Sequence, residues 1–339
     1  MSSAATANTD RDAALILREK LGADKVILPN ETTPDLGKYG TSFYFIAQAS
    51  QISPACRVLP ANTADIVTTI NVIRETGATF AVKSGGHSTY DTGANAENGI
   101  TIDLSRLKDI NISDDRKSVT LVLVNGQVLN VTRESHTDLF WSMRGAGVGF
   151  GIVTRFELNT FEMVKIWGGA RVFAHEHETE VINAFHKLVN TGSDPLAEAF
   201  LIVTDAAKNG NSVYTMVLSR SSPENDPPVF DDFKRLAPLV SSTQPRALTN
   251  LRDEIDGQNV AGFRYRTTSQ TIKCHRGTLK DIVALHAECV TILKDRAGFS
   301  PSLLCQPLLP AMLPKDDIGN ALGIEPEDRP LIIICLLWK

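Results

Sequence analysis

The chain has 339 residues, 42% of them apolar and 22% charged. This is the composition of an ordinary globular protein, and the length exceeds one comfortable core, so two domains are expected. The net charge of −5 gives no electrostatic case for nucleic acid or an anionic membrane as partner.

In chain order, Met1 to Asp10 is small and polar and reads as disordered. It lacks a basic start followed by an apolar run, so no secretory signal is expected. Asp12 can cap a helix running to Leu21, with Gly22 as its stop. Residues 30–50 read as loop, broken by Thr33, Pro34 and Gly37. Asn62 caps the next helix, Asp65 favours its positive end, and Ile66, Val67, Ile70 and Ile73 recur at helical spacing until Gly77. Thr79 to Val82 reads as a short buried strand, and the alternation of Ile100, Ile102 and Leu104 as another. Val119 to Val124 and Gln127 to Val131 flank Asn125-Gly126, which predicts a two-residue hairpin turn. A short helix, Asp138 to Met143, leads into a glycine loop and a strand from Ile152 to Leu158.

The second half reads differently. Arg171-Val172-Phe173 and Tyr214-Thr215-Met216-Val217-Leu218 predict antiparallel strands, with helices at 178–189, 230–236 and 279–294. The run Leu331 to Trp338 is far too short to span a bilayer. Cys56, Cys274, Cys289, Cys305 and Cys335 are odd in number and widely spaced, so they read as free thiols in a reducing, intracellular compartment. The sequons at Asn30, Asn111 and Asn130 carry little weight there. The fold class expected is α+β. Residues 1–50 lead into a first domain over 51–163, and a second domain covers 164–339.

The candidate site is Lys83-Ser84-Gly85-Gly86-His87-Ser88. Two adjacent glycines after a strand allow unusual dihedrals and a close backbone approach. Successive N–H groups there can form a concave site for a diphosphate. A histidine at the tip can serve as a nucleophile.

The order of elements, together with Pro54 to Pro60, Phe80 to Ser88 and Asp103 to Leu107, resembles the FAD-binding subdomain of the vanillyl-alcohol-oxidase and berberine-bridge-enzyme superfamily. Asp138 to Gly147 and Phe150 to Phe156 form a second block similar to it, and Gln306-Pro307-Leu308 a looser one. The resemblance is to oxygen-dependent FAD-linked oxidoreductases of the fungal type. It implies a two-domain, PCMH-type FAD-binding fold with an antiparallel-sheet substrate domain. It further implies FAD carried covalently by His87, a diphosphate held by Ser84, Gly85, Gly86, His87 and Ser88, Lys83 among the cofactor-binding residues, and Gly151, Ile152, Val153 and Thr154 along the cofactor. The implied reaction is oxidation of a small organic substrate, an intermediate of fungal secondary metabolism, with O2 reoxidising the flavin. The family places several dozen residues where Val119 runs straight into Val124, and a further segment after Lys339. An internal deletion and a C-terminal truncation are therefore expected, together with two alternatives: a degenerate relative that binds a ligand or partner without flavin, and a cyclase or isomerase on the same scaffold. No catalytic base is identified.

Other motifs favour ordinary roles. Gly145 to Gly151 fails as a dinucleotide fingerprint because helix, loop and strand come in the wrong order. His175-Glu176-His177 lacks zincin spacing and reads as a solvated strand end. Cys274, His275, His286 and Cys289 fit no zinc module. Arg264, Tyr265 and Arg266 read as an edge strand with alternating charge.

Overall fold

The computed structural model describes residues 3–29, 31, 44–110, 118–119, 123–124, 127–145, 147, 149–156, 158–163, 165–192, 194–205, 211–258, 260–293, 295–296, 298–309, 312, 319–328 and 330–339. The Asn125-Gly126 turn, the 120–122 junction and the breakers Thr33, Pro34 and Gly37 lie outside them. The chain divides into two compact units. The first is Met1–Phe161 with Ala261–Arg264 and Ile318–Leu322, and the second holds the rest.

The first unit contains, in order, α1 (Ser3–Leu21), β1 (Val26–Ile27), α2 (Ala47–Ser50), β2 (Cys56–Val58), α3 (Thr63–Thr76), β3 (Phe80–Lys83), β4 (Ile100–Asp103), β5 (Ser118–Val119), β6 (Leu123–Val124), β7 (Val128–Leu129), α4 (Thr137–Met143), β8 (Ile152–Val153) and β9 (Leu158–Asn159). Its main sheet has the order β1-β2-β4-β3, with β2, β4 and β3 parallel and β1 antiparallel to β2. One face of that sheet, with Cys56, Val58, Ile100 and Ile102, buries against Leu17 of α1 and Ile66, Val72 and Ile73 of α3. Ile66, Ile100 and Ile102 are fully buried, and each such side chain contributes roughly 2 kcal/mol relative to exposure.

Local chemistry sets the ends of α3. The Asn62 side chain accepts from the Asp65 N–H at 3.0 Å, and the Asp65 carboxylate in turn accepts from Lys25 Nζ at 2.8 Å and Ala61 N–H at 2.9 Å. At the other end Gly77 adopts φ 75° and donates to the Ile73 carbonyl at 2.8 Å. The expected start of α1 is corrected. The helix begins at Ser3 rather than Asp12, and Asp12 sits in its interior. The reason is tertiary: Asp10 is buried and accepts from Thr79 N–H at 2.8 Å and Thr79 Oγ1 at 3.1 Å, which ties the helix to the entry of β3.

The later part of this unit forms two small sheets. β5 pairs with β9, and β6 lies between β7 and β8. The single strand expected over 152–158 is therefore split, and Val119 and Val124, expected in one strand, pair in different sheets. In the hairpin, Val124 faces Val128 and Leu123 faces Leu129.

The second unit contains β10 (Ile166–Phe173), α5 (Glu178–Thr191), β11 (Ala197–Asp205), β12 (Ser212–Arg220), α6 (Asp231–Lys234), β13 (Val240–Ser241), β14 (Gln244–Arg246), α7 (Leu248–Gln258), β15 (Arg266–Lys273), α8 (Arg276–Leu293), β16 (Pro301–Leu308) and β17 (Leu331–Trp338). Its eight-stranded sheet has the order β13-β10-β12-β11-β16-β17-β15, with β14 also on β10, and every pair is antiparallel. The antiparallel strands expected at 171–173 and 214–218 are present, and they pair with each other, with Phe173 opposite Tyr214. Alternation decides what is buried. Leu201, Val203, Leu303 and Cys305 join Val181 and Phe185 of α5 and Leu279 and Val283 of α8 in one core. Trp167 stacks on Phe230 in the same core, with ring centroids 5.5 Å apart.

Two expectations change here. His175–His177 is a 3-10 turn leading into α5, where His175 sits 3.6 Å from Glu178. The helix expected at 230–236 is a 3-10 turn, Pro228–Phe230, followed by the short α6. β15 lies at the sheet edge and is mostly exposed, but of the expected edge-strand residues Arg264, Tyr265 and Arg266 only Arg266 belongs to it. Tyr265 just before it is buried and donates to the Val260 carbonyl at 2.5 Å.

All five cysteines are free thiols. No cluster of metal-ligating side chains occurs among the described residues. Among the described residues no helix is long and apolar enough to cross a membrane.

Candidate flavin site

In the first unit, parallel strands put their carboxyl ends on one edge of the sheet, where ligand crevices of such sheets form. β3 reaches that edge at Lys83 and runs into Ser84 to Ser88. α3 connects the carboxyl end of β2 to the start of β3, so its N-terminus lies at the same edge. Thr63, at that N-terminus, donates to Thr154 Oγ1 at 3.2 Å. The topology thus brings both sequence-predicted segments, 83–88 and 151–154, to one end of this unit.

Within the loop, Ser84, Gly85 and His87 are exposed, Gly86 is buried and Ser88 half-buried. Gly86 has φ 73°, a left-handed conformation that costs any other L-residue roughly 1 kcal/mol or more. The Ser84 carbonyl accepts from Lys83 Nζ at 3.2 Å, and the Gly86 carbonyl accepts from Phe45 N–H at 2.9 Å. The N–H groups of Gly85 and Gly86 have no acceptor among the described residues. The His87 imidazole stacks on the Phe45 ring, with centroids 6.1 Å apart and planes within 9°. Ser88 shapes the turn that follows. Its hydroxyl donates to the Tyr90 carbonyl at 3.1 Å and accepts from Tyr90 N–H at 3.2 Å.

Lys83 sits apart from the loop surface. It is 3% exposed, and Nζ lies 3.5 Å from Oδ1 of the fully buried Asp103. Asp103 also accepts from Ser105 N–H at 3.0 Å. The ring of Tyr44 faces the ammonium at 5.6 Å. The Tyr44 hydroxyl is buried with no acceptor for its proton among the described residues. Burial pushes this phenol above the ordinary tyrosine range, against the pull of the nearby Arg57 guanidinium.

In the second segment Gly151 has φ 151°, and Gly145, Gly147 and Gly149 before it are also positive. Ile152 is buried in the first unit's core, opposite Val124 of β6, while Val153 and Thr154 are half-buried. Phe45, Tyr44 and Asp103 are the site residues that sequence reasoning missed. The first two are lone aromatics in a stretch read as loop. Asp103 was visible only as part of a resembling block.

The arrangement fits a diphosphate-bearing cofactor. Two backbone donors without an acceptor among the described residues, that of the exposed Gly85 and that of the buried Gly86, sit where glycine permits close approach, and an exposed imidazole stands next to them.

Comparison with known proteins agrees. Residues 54–130 match the family described as FAD binding domain. An FAD-dependent monooxygenase of Cochliobolus heterostrophus is 25% identical over 89% of this chain and 72% of its own length. Among solved structures, a berberine bridge enzyme variant superposes with a TM-score of 0.71 at 13% identity, covering 96% of this chain and 80% of that one. A glucooligosaccharide oxidase from Acremonium strictum, described as revealing a novel flavinylation, gives 0.64 at 14% identity, covering 97% and 81%. The fold is thus the two-domain, PCMH-type FAD-binding fold of α+β class, and FAD is the cofactor of its FAD binding domain. In sequence and fold the chain is similar to FAD-linked oxidoreductases, the berberine-bridge-enzyme-like proteins among them.

Proposed function

We propose that the protein oxidises a small organic substrate, an intermediate of fungal secondary metabolism, with O2 as the final acceptor. The observation that carries this reading is the Ser84–His87 loop, with two carbonyls tied back and two N–H donors left open beside an exposed histidine. FAD, when bound, supplies the hydride-accepting and oxygen-reactive chemistry. The protein's part is binding and orientation. Gly85 and Gly86 donate to the diphosphate, and Ser84 and Ser88 shape the loop around it. Gly151, Ile152, Val153 and Thr154 lie along the cofactor. His87 is the nucleophile for covalent attachment, its ring plane set by stacking on Phe45. The fungal relative's designation as a monooxygenase supports use of O2.

The purified protein tests this directly. It should carry a yellow chromophore that survives acid precipitation, and His87→Ala should release that chromophore on the same treatment. A colourless protein that takes up no FAD overturns the reading. Acid-stable flavin that persists in His87→Ala removes the anchor assignment.

A further inference from the structure

A trans peptide is planar, so the carbonyl of one residue and the N–H of the next point in opposite directions. Two peptides of the loop have their carbonyls tied. Lys83 Nζ holds the Ser84 carbonyl toward the buried side at 3.2 Å. The Gly85 N–H of that peptide therefore points away from Lys83, and Gly85 is exposed. Phe45 N–H holds the Gly86 carbonyl at 2.9 Å, so the His87 N–H points away from Phe45. The tied Ser84 carbonyl thus orients the Gly85 donor, and the tied Gly86 carbonyl fixes the peptide that leaves the loop.

Lys83 cannot serve as a ligand itself. It is 3% exposed, and its ammonium is committed to Asp103, to the Ser84 carbonyl and to the face of Tyr44. Its charge is neutralised by a carboxylate with no exposed surface. A buried ion pair of this kind is weak evidence for stability, because desolvation offsets the attraction. It does fix geometry, and here the atom it fixes belongs to the loop.

We propose that the buried Lys83–Asp103 pair is a positioning device that, with the Phe45 backbone, presets the Ser84–His87 peptides to receive a diphosphate. This rests on the flavin reading above and assigns Lys83 a role behind the cradle rather than in it. Preorganised donors bind without first reorganising the loop, and their loss is felt as weaker binding of the diphosphate part alone.

The test uses the full chain in the His87→Ala background, where flavin exchanges freely, with FAD and ADP as probes. ADP carries the diphosphate without the flavin ring. Lys83→Met alone would strand the Asp103 charge, so the main variant is Lys83→Met with Asp103→Asn, which removes both charges at similar volume. It should weaken FAD and ADP by the same factor, about tenfold for the loss of one ordering hydrogen bond in a preset loop. Asp103→Asn alone, isosteric with the parent, should weaken both by a smaller factor. Lys83→Arg, which keeps a cationic donor to the Ser84 carbonyl, should recover most of the loss, as a purely space-filling role would not require. Unchanged affinity for both probes in the double variant overturns the proposal while leaving the flavin reading intact. So does a loss confined to FAD, or a Lys83→Arg variant as weak as the double variant. If the parent itself binds neither probe, the flavin reading fails, and this inference with it.

Discussion

Tyr44→Phe deletes one atom from the middle of the buried cluster behind the loop. Tyr44 is 6% exposed, and its hydroxyl proton has no acceptor among the described residues. A buried, unsatisfied donor costs about 1–3 kcal/mol. Removing it also removes an oxygen that the nearby Arg57 can donate to, worth about 1 kcal/mol net. The aromatic face toward Lys83 is retained, since phenylalanine keeps the ring. The variant should therefore be as stable as the parent or more so, by up to about 2 kcal/mol. Urea unfolding followed through Trp141, which lies in the same unit, reads this as a midpoint that holds or rises at constant slope. The alkaline limb gives an independent check. A phenol whose folded pKa is raised contributes stability that is present below the ordinary tyrosine value and lost as pH rises through the higher folded value. Tyr44→Phe should flatten that limb. A loss of about 1 kcal/mol or more at neutral pH would mean that the hydroxyl has a partner in the folded state, and the reasoning would fail.

Two further outcomes follow from the second unit and the thiols. Burial alone would raise Glu254, but hydrogen bonds from Ser242, at 2.5 Å, and Arg246 outweigh it and hold the carboxyl below its ordinary range. Its stabilisation is thus present above the ordinary glutamate value and fades as pH falls through the lowered folded value. Glu254→Gln should remove part of the acid limb of a stability–pH profile, and an unaltered limb would count against this pairing. Burial pushes Cys56 and Cys305 up to about 12 and Cys274 to about 11, the last opposed by a hydrogen bond from Asn190. An aromatic disulfide reagent should therefore label the exposed Cys289 in the native protein, but Cys56, Cys274 and Cys305 only after unfolding. Peptide mapping that found Cys305 labelled before unfolding would contradict the packing described.

The helix and strands that mount the site were legible because their signals are local. Asn62, Asp65 and Gly77 punctuate α3, and period-two apolar alternation marks β4. The direction of Lys83 was legible in principle too. It lies two residues after Ala81 and one after Val82, so it shares a face with Ala81, opposite the face that packs on α1 and α3. Phe45 was not legible. Its place is set by a backbone hydrogen bond to Gly86, far along the chain, and by stacking on His87, neither of which leaves a periodic trace. The small sheets were misread for a similar reason. Their register depends on pairing across the chain rather than on local signals. The start of α1 was missed because the Asp10–Thr79 contact is tertiary.

The order of strands in the larger sheet has a bearing on how the protein is made. β15 is synthesised before β16, yet among the described residues it pairs only with β17, which arrives last of the three. Until residues 331–338 emerge, β16 presents an open edge and β15 has nothing to pair with, while every buried residue of the first unit's apolar core is already available. Such a nascent chain carries a folded half and an adhesive half at once. Its yield in a heterologous host should be governed by how quickly β17 closes that gap, and co-expressed chaperones that shield extended segments should raise it more than added cofactor does.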